Sequence, residues 1–287
     1  MSQATVVSFE DAMRDRDGGA SEQRVVTEED LLARQTRIHI NRCHAALDKV
    51  DVTMQLKTQR INVFHNLSVG FPKGRKMVMF GHEGSGRGTI MDILQQRQAP
   101  DRGKVHVKSN ISWPVGSLAF ADPRVTLRDN TLFISHVLGL STEATIAATL
   151  SFLELEPKAL KEPFKSLQLI PRRRYGYLIA LLCDFDLLLF NGPFKPHTLK
   201  LDEERGEELK TRLLSKDYLM SIDSRRLVPE NANLAYILYE GRLYHFDDVE
   251  EAATIFEALP PPQNAPVSSK GESDDAFDEE DNGEVLF

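Results

Sequence analysis

The sequence has few cysteines, no long apolar run and no leader of the secretory type. Its two cysteines, Cys43 and Cys183, are too far apart in the chain to form a metal or redox motif, so we expect both to be reduced packing residues. No apolar stretch approaches the ~20 residues that span a bilayer. A basic and then apolar segment is missing from the first residues. These absences predict a cytoplasmic protein and leave open a peripheral position on the inner face of the plasma membrane.

Other common chemistries also lack their motifs. A serine hydrolase would need a G-x-S-x-G elbow, and the only similar triplet, Gly84-Ser85-Gly86, belongs to a longer glycine-rich loop. The eight histidines include no pair at metal-ligand spacing. A basic run at residues 172–174 is short and has no interleaved aromatics, so we read it as a solvated or sheet-covering face and expect no nucleic-acid partner.

Acidic charge is concentrated at the two ends of the chain. Residues 262–287 contain eight acids and one Lys, and residues 1–34 contain eight acids and four Arg. Segments of this composition cannot bury enough apolar area to offset chain entropy. We therefore expect a mostly disordered acidic extension over residues 1–45, with a short helix at 28–37, and a disordered acidic tail over residues 261–287. The folded domain is expected between them, over residues 46–260.

The most informative segment is residues 77–89, where an apolar run leads into a loop with glycines at 81, 84, 86 and 88. Strand, glycine-rich turn and helix is the context of a phosphate-binding loop, whose backbone N–H groups converge on phosphate oxygens. Such a loop carries a Lys for phosphate and then a Ser or Thr for Mg²⁺, but here these positions are Arg87 and Gly88. Thr89 could supply a hydroxyl only from the next position. The segment predicts a phosphate loop with weakened chemistry; a glycine-rich turn that binds nothing is the alternative.

Short strands alternate with helical segments on both sides of this loop. Two early strands suggest an antiparallel lobe, and the later alternation predicts an α/β domain with a mainly parallel sheet flanked by helices. Strands are predicted at residues 46–57, 61–71, 77–80, 104–107 and 187–190, and helices at 89–94, 126–140, 142–155 and 175–182. A helical subdomain is expected at about residues 126–180.

Several of these segments are similar to one family over residues 46–258. The chain resembles the ATP-binding subunits of ABC transporters, most closely those of polysaccharide exporters that serve capsule, O-antigen and teichoic-acid assembly. The resemblance is carried by the loop and by FHNLS at 64–68, PDRGK at 100–104, ISWPVG at 111–116, TLRDN at 126–130 and DFDLLLF at 184–190.

The resemblance implies a P-loop NTPase of the ABC ATPase type, which dimerises head to tail around two ATP molecules and drives a membrane permease. It places the Walker B acid at Asn191, the catalytic Glu at Gly192 and the switch His at Ile222. The signature loop falls near residues 168–171, and the Gln that couples to the permease falls near Asp122. The residues matching the nucleotide-binding loop are Gly81, Gly84, Ser85, Gly86, Arg87, Gly88 and Thr89.

Phosphoryl transfer depends on positioning and charge stabilisation, and here most of the groups that supply them are changed. The sequence therefore predicts a protein that binds ATP weakly, lacks a firm Mg²⁺ site apart from Thr89 as a candidate ligand, and does not turn ATP over. Its expected partners are an ABC-2 type membrane permease, an active ATPase subunit, or both, for polysaccharide export. One alternative is a divergent active ATPase using Arg87, Thr89 and a displaced acid, Asp184 or Asp186. Another is a scaffold that binds no nucleotide.

Overall fold

A computed structural model describes residues 40–55 and 60–260. The predicted acidic extension before residue 40, its short helix, and the tail from residue 261 lie outside these ranges. The strands are β1 (Cys43–Gln55), β2 (Arg60–Pro72), β3 (Lys76–Phe80), β4 (Arg102–Val107), β5 (Ile111–Pro114), β6 (Leu187–Asn191), β7 (Asp217–Ile222), β8 (Leu234–Tyr239) and β9 (Arg242–Phe246). The α-helices are α1 (Arg87–Leu94), α2 (Leu127–Val137), α3 (Thr142–Leu153), α4 (Leu169–Leu182), α5 (Glu203–Ser215) and α6 (Val249–Ala258).

The chain divides into two compact units. Within its described part, the first unit comprises residues 40–55, 60–111, 186–193 and 216–260, and the second comprises residues 112–185 and 194–215. In the first unit, β2, β1 and β4 form an antiparallel sheet in that order. Five strands of a second, six-stranded sheet also lie in this unit, in the order β6-β7-β3-β8-β9; β6, β7, β3 and β8 pair in parallel, and β9 is antiparallel to β8. The predicted antiparallel lobe and mainly parallel sheet are confirmed.

Apolar side chains from both sheets form the core of the first unit. The central strand β3 is buried from Met77 to Phe80, as expected for a parallel strand covered on both faces. Core residues come from β1, β2, β3, α1, β6, β7, β8 and β9. The hydroxyl of Tyr236 on β8 also donates to the carbonyl of Gly70 on β2 at 2.7 Å. The core thus fixes the position of the loop that follows β3.

A polar cluster around the buried His44 lies at the amino end of β7 in the first unit. Nε2 of His44 lies 2.8 Å from Oδ2 of Asp217, and Nδ1 lies 2.9 Å from the hydroxyl of Ser109. The backbone N–H of Gly74 donates to the same Oδ2 at 2.5 Å. Residues distant in the chain are joined here, and each buried polar group has a partner, which avoids the cost of an unsatisfied one.

The second unit contains α2, α3, α4 and α5. Thr126 caps α2 by accepting from the N–H of Asp129, and Ser141 caps α3 in the same way from Ala144. Gly176 of α4 packs so closely on Gly116 that an added Cβ would lie 2.7 Å from the Gly116 carbonyl oxygen. Only glycine permits this approach of the two backbones.

Several predicted boundaries and surfaces need correction. Strand β1 runs from Cys43 to Gln55, whereas the sequence predicted a strand over residues 46–57. Helix α4 begins at Leu169, not at residue 175, because a Pro in the first turn removes no intrahelical hydrogen bond. The reading of residues 172–174 as a solvated face is wrong for Arg174. That side chain is buried, donates to the carbonyls of Leu199 and Lys200, and pairs with Glu154, all in the second unit.

Candidate nucleotide site

Three predicted site positions come together at one edge of the parallel sheet. Phe80, the last residue of β3, is in register with Ile222 of β7, and Asn191 of β6 is in register with Ser221. The N–H of Gly81 donates to the carbonyl of Ile222 at 3.2 Å. The glycine-rich loop therefore starts beside the carboxyl ends of β6 and β7, which is where ligands bind in open α/β sheets.

The loop turns tightly between β3 and α1. Gly84 and Gly86 have positive φ angles of 75° and 100°, which side-chain-bearing residues rarely adopt. A Cβ on Gly86 would lie 2.8 Å from Val63 and 2.9 Å from the Phe64 ring, so the loop packs directly against β2. Helix α1 then begins at Arg87, two residues earlier than predicted.

The side chain of Arg87 folds back over the start of the loop. A Cβ on Gly81 would lie 3.0 Å from Cδ of Arg87 and 2.5 Å from Oγ of Ser85. Burial lowers the pKa of the Arg87 guanidinium, and the carboxylates of Asp223 and Glu83 act against this shift. The group stays charged, since arginine remains protonated in proteins. A cation therefore lies at the position where a phosphate loop needs one.

Two buried polar atoms in the loop have no hydrogen-bond partner among the described residues. They are Oγ of Ser85 and Nε2 of His82. The ring of His82 packs on Phe256 with centroids 4.8 Å apart. Orphaned buried polar atoms are uncommon and indicate a missing ligand or solvent partner. Together with the N-terminus of α1 and Arg87, they suit a phosphate group, so the loop fits the anionic part of ATP.

The residues that would hold Mg²⁺ do not fit that ion. Gly88 has no hydroxyl, and Thr89, the candidate ligand, is only 5% exposed. The Walker B position carries the neutral amide of Asn191. Across residues 40–55 and 60–260, no group of three His, Cys, Asp or Glu side chains could hold a metal ion. The loop thus retains groups for phosphate and lacks the oxygen donors that Mg²⁺ prefers.

The position predicted for the catalytic Glu holds a glycine with a positive φ angle. Gly192 follows the end of β6 with a φ of 119°, although an added Cβ would have nothing within 4 Å. A Glu in this conformation would be strained whatever the free space. At the switch position, Ile222 is buried in the core and offers no polar atom from its side chain.

The displaced-acid alternative does not agree with the position of Asp186. Asp186 precedes β6, and its Oδ2 accepts from the N–H of Asn110 at 2.7 Å. This is the amino end of the strand, whereas the loop lies at the carboxyl end. Asp184 lies two residues earlier in the chain. Asp186 therefore cannot replace the Walker B acid in this arrangement.

Two predicted positions lie in the second unit. The signature positions, residues 168–171, form the start of α4, where Gln168 makes no side-chain capping hydrogen bond and no hydroxyl is present. At the coupling position, Oδ1 of Asp122 accepts from the N–H of Arg124 at 2.8 Å. This hydrogen bond and a second one from the Arg124 side chain hold the pKa of the Asp122 carboxyl below its ordinary value. Its carboxylate is therefore engaged in a local turn.

Sequence reasoning missed one charged residue beside the loop. Asp223 follows Ile222 directly at the carboxyl end of β7, and its charge acts on both Arg87 and His82. The sequence did contain a signal for Asp223, because this residue is the first acid after the apolar run of β7 and is next to the predicted switch position. An acid at this edge of a parallel sheet is well placed to reach a loop on the neighbouring strand.

Comparisons with known proteins agree with this geometry. Residues 64–195 match the family model described as ABC transporter. Among solved structures, the chain is similar to an ATP binding subunit of an ABC transporter, with a TM-score of 0.55, 16% identity, and coverage of 75% of this chain and 93% of that one. The fold is that of an ABC ATPase. A dimeric ATP-binding cassette bound to ADP and Pi is also similar, with a TM-score of 0.53, 18% identity, and coverage of 71% and 98%.

In sequence, the chain is similar to ATP-binding proteins named for capsule polysaccharide export and polysialic acid transport. The capsule polysaccharide export ATP-binding protein CtrD of Neisseria meningitidis serogroup B is 24% identical over 198 residues, covering 69% of this chain and 91% of the relative. The polysialic acid transport ATP-binding protein KpsT of Escherichia coli is 25% identical over 215 residues, covering 74% and 97%. No helix within the described ranges is long and apolar enough to cross a membrane.

Proposed function

We propose that this chain is a subunit of a polysaccharide export system of the capsule type that binds ATP weakly, does not hydrolyse it, and has a structural or regulatory role. The relatives named for capsule polysaccharide export and polysialic acid transport support the system. The retained loop, with Arg87 over Gly81, supports nucleotide binding. In this role ATP is a ligand that stabilises one form of the subunit.

One observation is the main support for the proposed loss of hydrolysis. At the carboxyl end of β6 the expected pair of acids is Asn191 and Gly192, and Gly192 has a φ of 119°. Restoring a Glu there would require the backbone to move as well. Loss of one catalytic group commonly reduces the rate by about two to four orders of magnitude, and losses within one site are non-additive. Useful turnover from this site is therefore not expected.

Nucleotide binding is tested by thermal unfolding with and without ATP. A ligand that binds only the folded state stabilises it by about 2.7 kcal/mol at one hundred times its Kd. We expect ATP to raise the Tm of the wild-type protein and to leave that of Arg87→Ala unchanged. Arg97→Ala is the matched control, because Arg97 lies beyond α1 and pairs with Asp92 on the surface. No rise for the wild type at millimolar ATP would favour a scaffold that binds no nucleotide.

The proposed partners are a membrane permease of the ABC-2 type and an active ATPase subunit, which would hold this chain peripherally at the inner face of the plasma membrane. Two apolar side chains on α2, Phe133 and Val137, are 60% and 63% exposed and one turn apart. Neighbouring apolar side chains on one helix face suit a protein contact. These two exposed side chains support a contact between the second unit and the permease.

Co-purification with the permease tests this surface. We expect Phe133→Ser combined with Val137→Ser to reduce recovery of the permease with little change in Tm. Met54→Ser is the matched control, because Met54 is an exposed apolar residue in the first unit. Equal recovery with the double variant and with Met54→Ser would place the contact elsewhere.

A further inference from the structure

The loop has to balance the charge of a nucleotide without the usual metal. A polyphosphate chain carries several negative charges, and phosphate loops normally meet it with a Lys and a Mg²⁺ ion. Here Gly88 and Asn191 remove the hydroxyl and the acid that would retain the ion. Among the described residues, the geometry places the cation of Arg87 over the loop, with its stem against Gly81.

Arginine differs from lysine in a way that suits this task. Its planar guanidinium can donate two parallel hydrogen bonds to phosphate oxygens, whereas a lysine ammonium acts as a point charge. The N-terminus of α1 adds N–H donors beside it, and the buried hydroxyl of Ser85 has no partner in the described part of the chain. Each of these groups can donate a hydrogen bond, so together they suit an anionic ligand.

Asp223 places a negative charge beside the loop, in addition to that of Glu83 within it. The carbonyl of Ile222, the residue before Asp223, accepts the Gly81 N–H, so Asp223 follows β7 where the loop begins. Its carboxylate favours the charged form of the Arg87 guanidinium. The same negative charge would repel a polyphosphate that binds Arg87.

We infer that this loop binds the metal-free polyphosphate of a nucleotide, with Arg87 in place of both the usual Lys and Mg²⁺, and that the charge of the neighbouring Asp223 opposes binding of the ligand. This inference rests on the proposed nucleotide-binding function and adds the ionic form of the ligand. Coordination to Mg²⁺ neutralises part of the polyphosphate charge and occupies its oxygens. Mg²⁺ should therefore weaken binding at this loop, whereas it strengthens binding where a metal site is complete.

Isothermal titration of the full chain with ATP, once in EDTA and once in excess Mg²⁺, tests the ionic form. The expected result is a Kd in EDTA that is lower than the Kd in Mg²⁺. A Kd in Mg²⁺ that is equal to or lower than the Kd in EDTA would overturn this inference and leave the nucleotide-binding function standing. No saturation in either buffer up to millimolar ATP would overturn both.

A variant that neutralises Asp223 tests whether the charge of this residue opposes ATP binding. Asp223→Asn should lower the Kd for ATP in EDTA by roughly twofold to fivefold, the size expected for removing one exposed charge interaction. Asp247→Asn gives the same change in net charge at a 78% exposed acid of the same unit and should leave the Kd unchanged. Equal Kd values for the two variants would overturn the role of Asp223. Tm values of both variants establish that each is folded.

Discussion

The side chain of Arg87 lies directly over the Cα of Gly81. A Cβ at residue 81 would lie 3.0 Å from Cδ of Arg87 and 2.5 Å from Oγ of Ser85, so glycine is required for the arginine to take this position. We predict that Gly81→Ala displaces Arg87 and raises the Kd for ATP at least about tenfold, the effect of losing about 1.4 kcal/mol. Titration calorimetry measures the change. Gly206→Ala, with nothing within 4 Å of its added Cβ, is the control and should leave the Kd unaltered.

Gly192 and Gly206 make a second matched pair, this time for stability. Both have open space for a Cβ, but Gly192 has a φ of 119°, whereas Gly206 lies within α5. We predict that Gly192→Ala lowers the free energy of unfolding by about 1 kcal/mol or more. Gly206→Ala should raise it by about 0.5–1 kcal/mol, because alanine is the better helix former. Urea unfolding measures both, and a stabilised Gly192→Ala would contradict the backbone strain proposed at this position.

The cluster around Asp217 should contribute to stability. Its Oδ2 accepts from the N–H of Gly74 and lies 2.8 Å from Nε2 of the buried His44. Asp217→Ala leaves both donors without their acceptor, which should cost about 1–3 kcal/mol of unfolding free energy.

Chemical denaturation of Asp217→Ala beside Asp247→Ala measures this cost. The side chain of Asp247 is 78% exposed, and its Oδ1 makes only a long ion pair of 4.0 Å with Nη2 of Arg75. Removal of this carboxylate should therefore change the free energy of unfolding by less than about 0.5 kcal/mol. Similar losses for the two variants would show that the cluster adds nothing beyond a surface charge.

His82 should make stability depend on pH. Burial lowers its pKa from the ordinary value of 6.5, and Arg87 acts in the same direction, against a backbone hydrogen bond with Leu259 and the charge of Asp223. The unfolded chain therefore takes up a proton before the folded one. This contribution to stability is present above pH 6.5 and is lost as the pH falls through 6.5 towards the lower folded value.

The variant His82→Phe removes this titration and retains a ring beside Phe256. We predict that its free energy of unfolding, relative to wild type, rises as the pH is lowered from about 7 to about 5. Urea unfolding of both proteins across this range measures the difference. A difference that stays constant with pH would show that His82 does not have a lowered pKa in the folded protein.

The sequence was sufficient to predict the loop, the antiparallel lobe and the parallel sheet. Residues 77–80 and 187–190 are uninterrupted apolar runs next to glycine or polar residues, and such runs can only be buried strands or core helices. The alignment of Asn191 with a family position followed from the second of these strands and from the resemblance, and that of Ile222 followed from the resemblance alone.

Other features depended on tertiary structure. Helix α4 was predicted to start too late because Pro171 and three arginines hide the helical period, and burial of Arg174 depends on carbonyls more than 20 residues away. The positive φ of Gly192 cannot be derived from the sequence, because glycine adopts positive and negative φ angles about equally readily. The effect of Asp223 on Arg87 depends on the register of β7 with β3. Local patterns contain none of this information.

Steady-state release of phosphate from ATP by the purified chain tests the central claim most directly. The account predicts that, with Mg²⁺ present, wild type and Arg87→Ala release phosphate at the same background rate, although only the wild type binds ATP. Active ATPases commonly turn over at about one per second or faster. Turnover near about one per second in the wild type that disappears in Arg87→Ala would contradict the account.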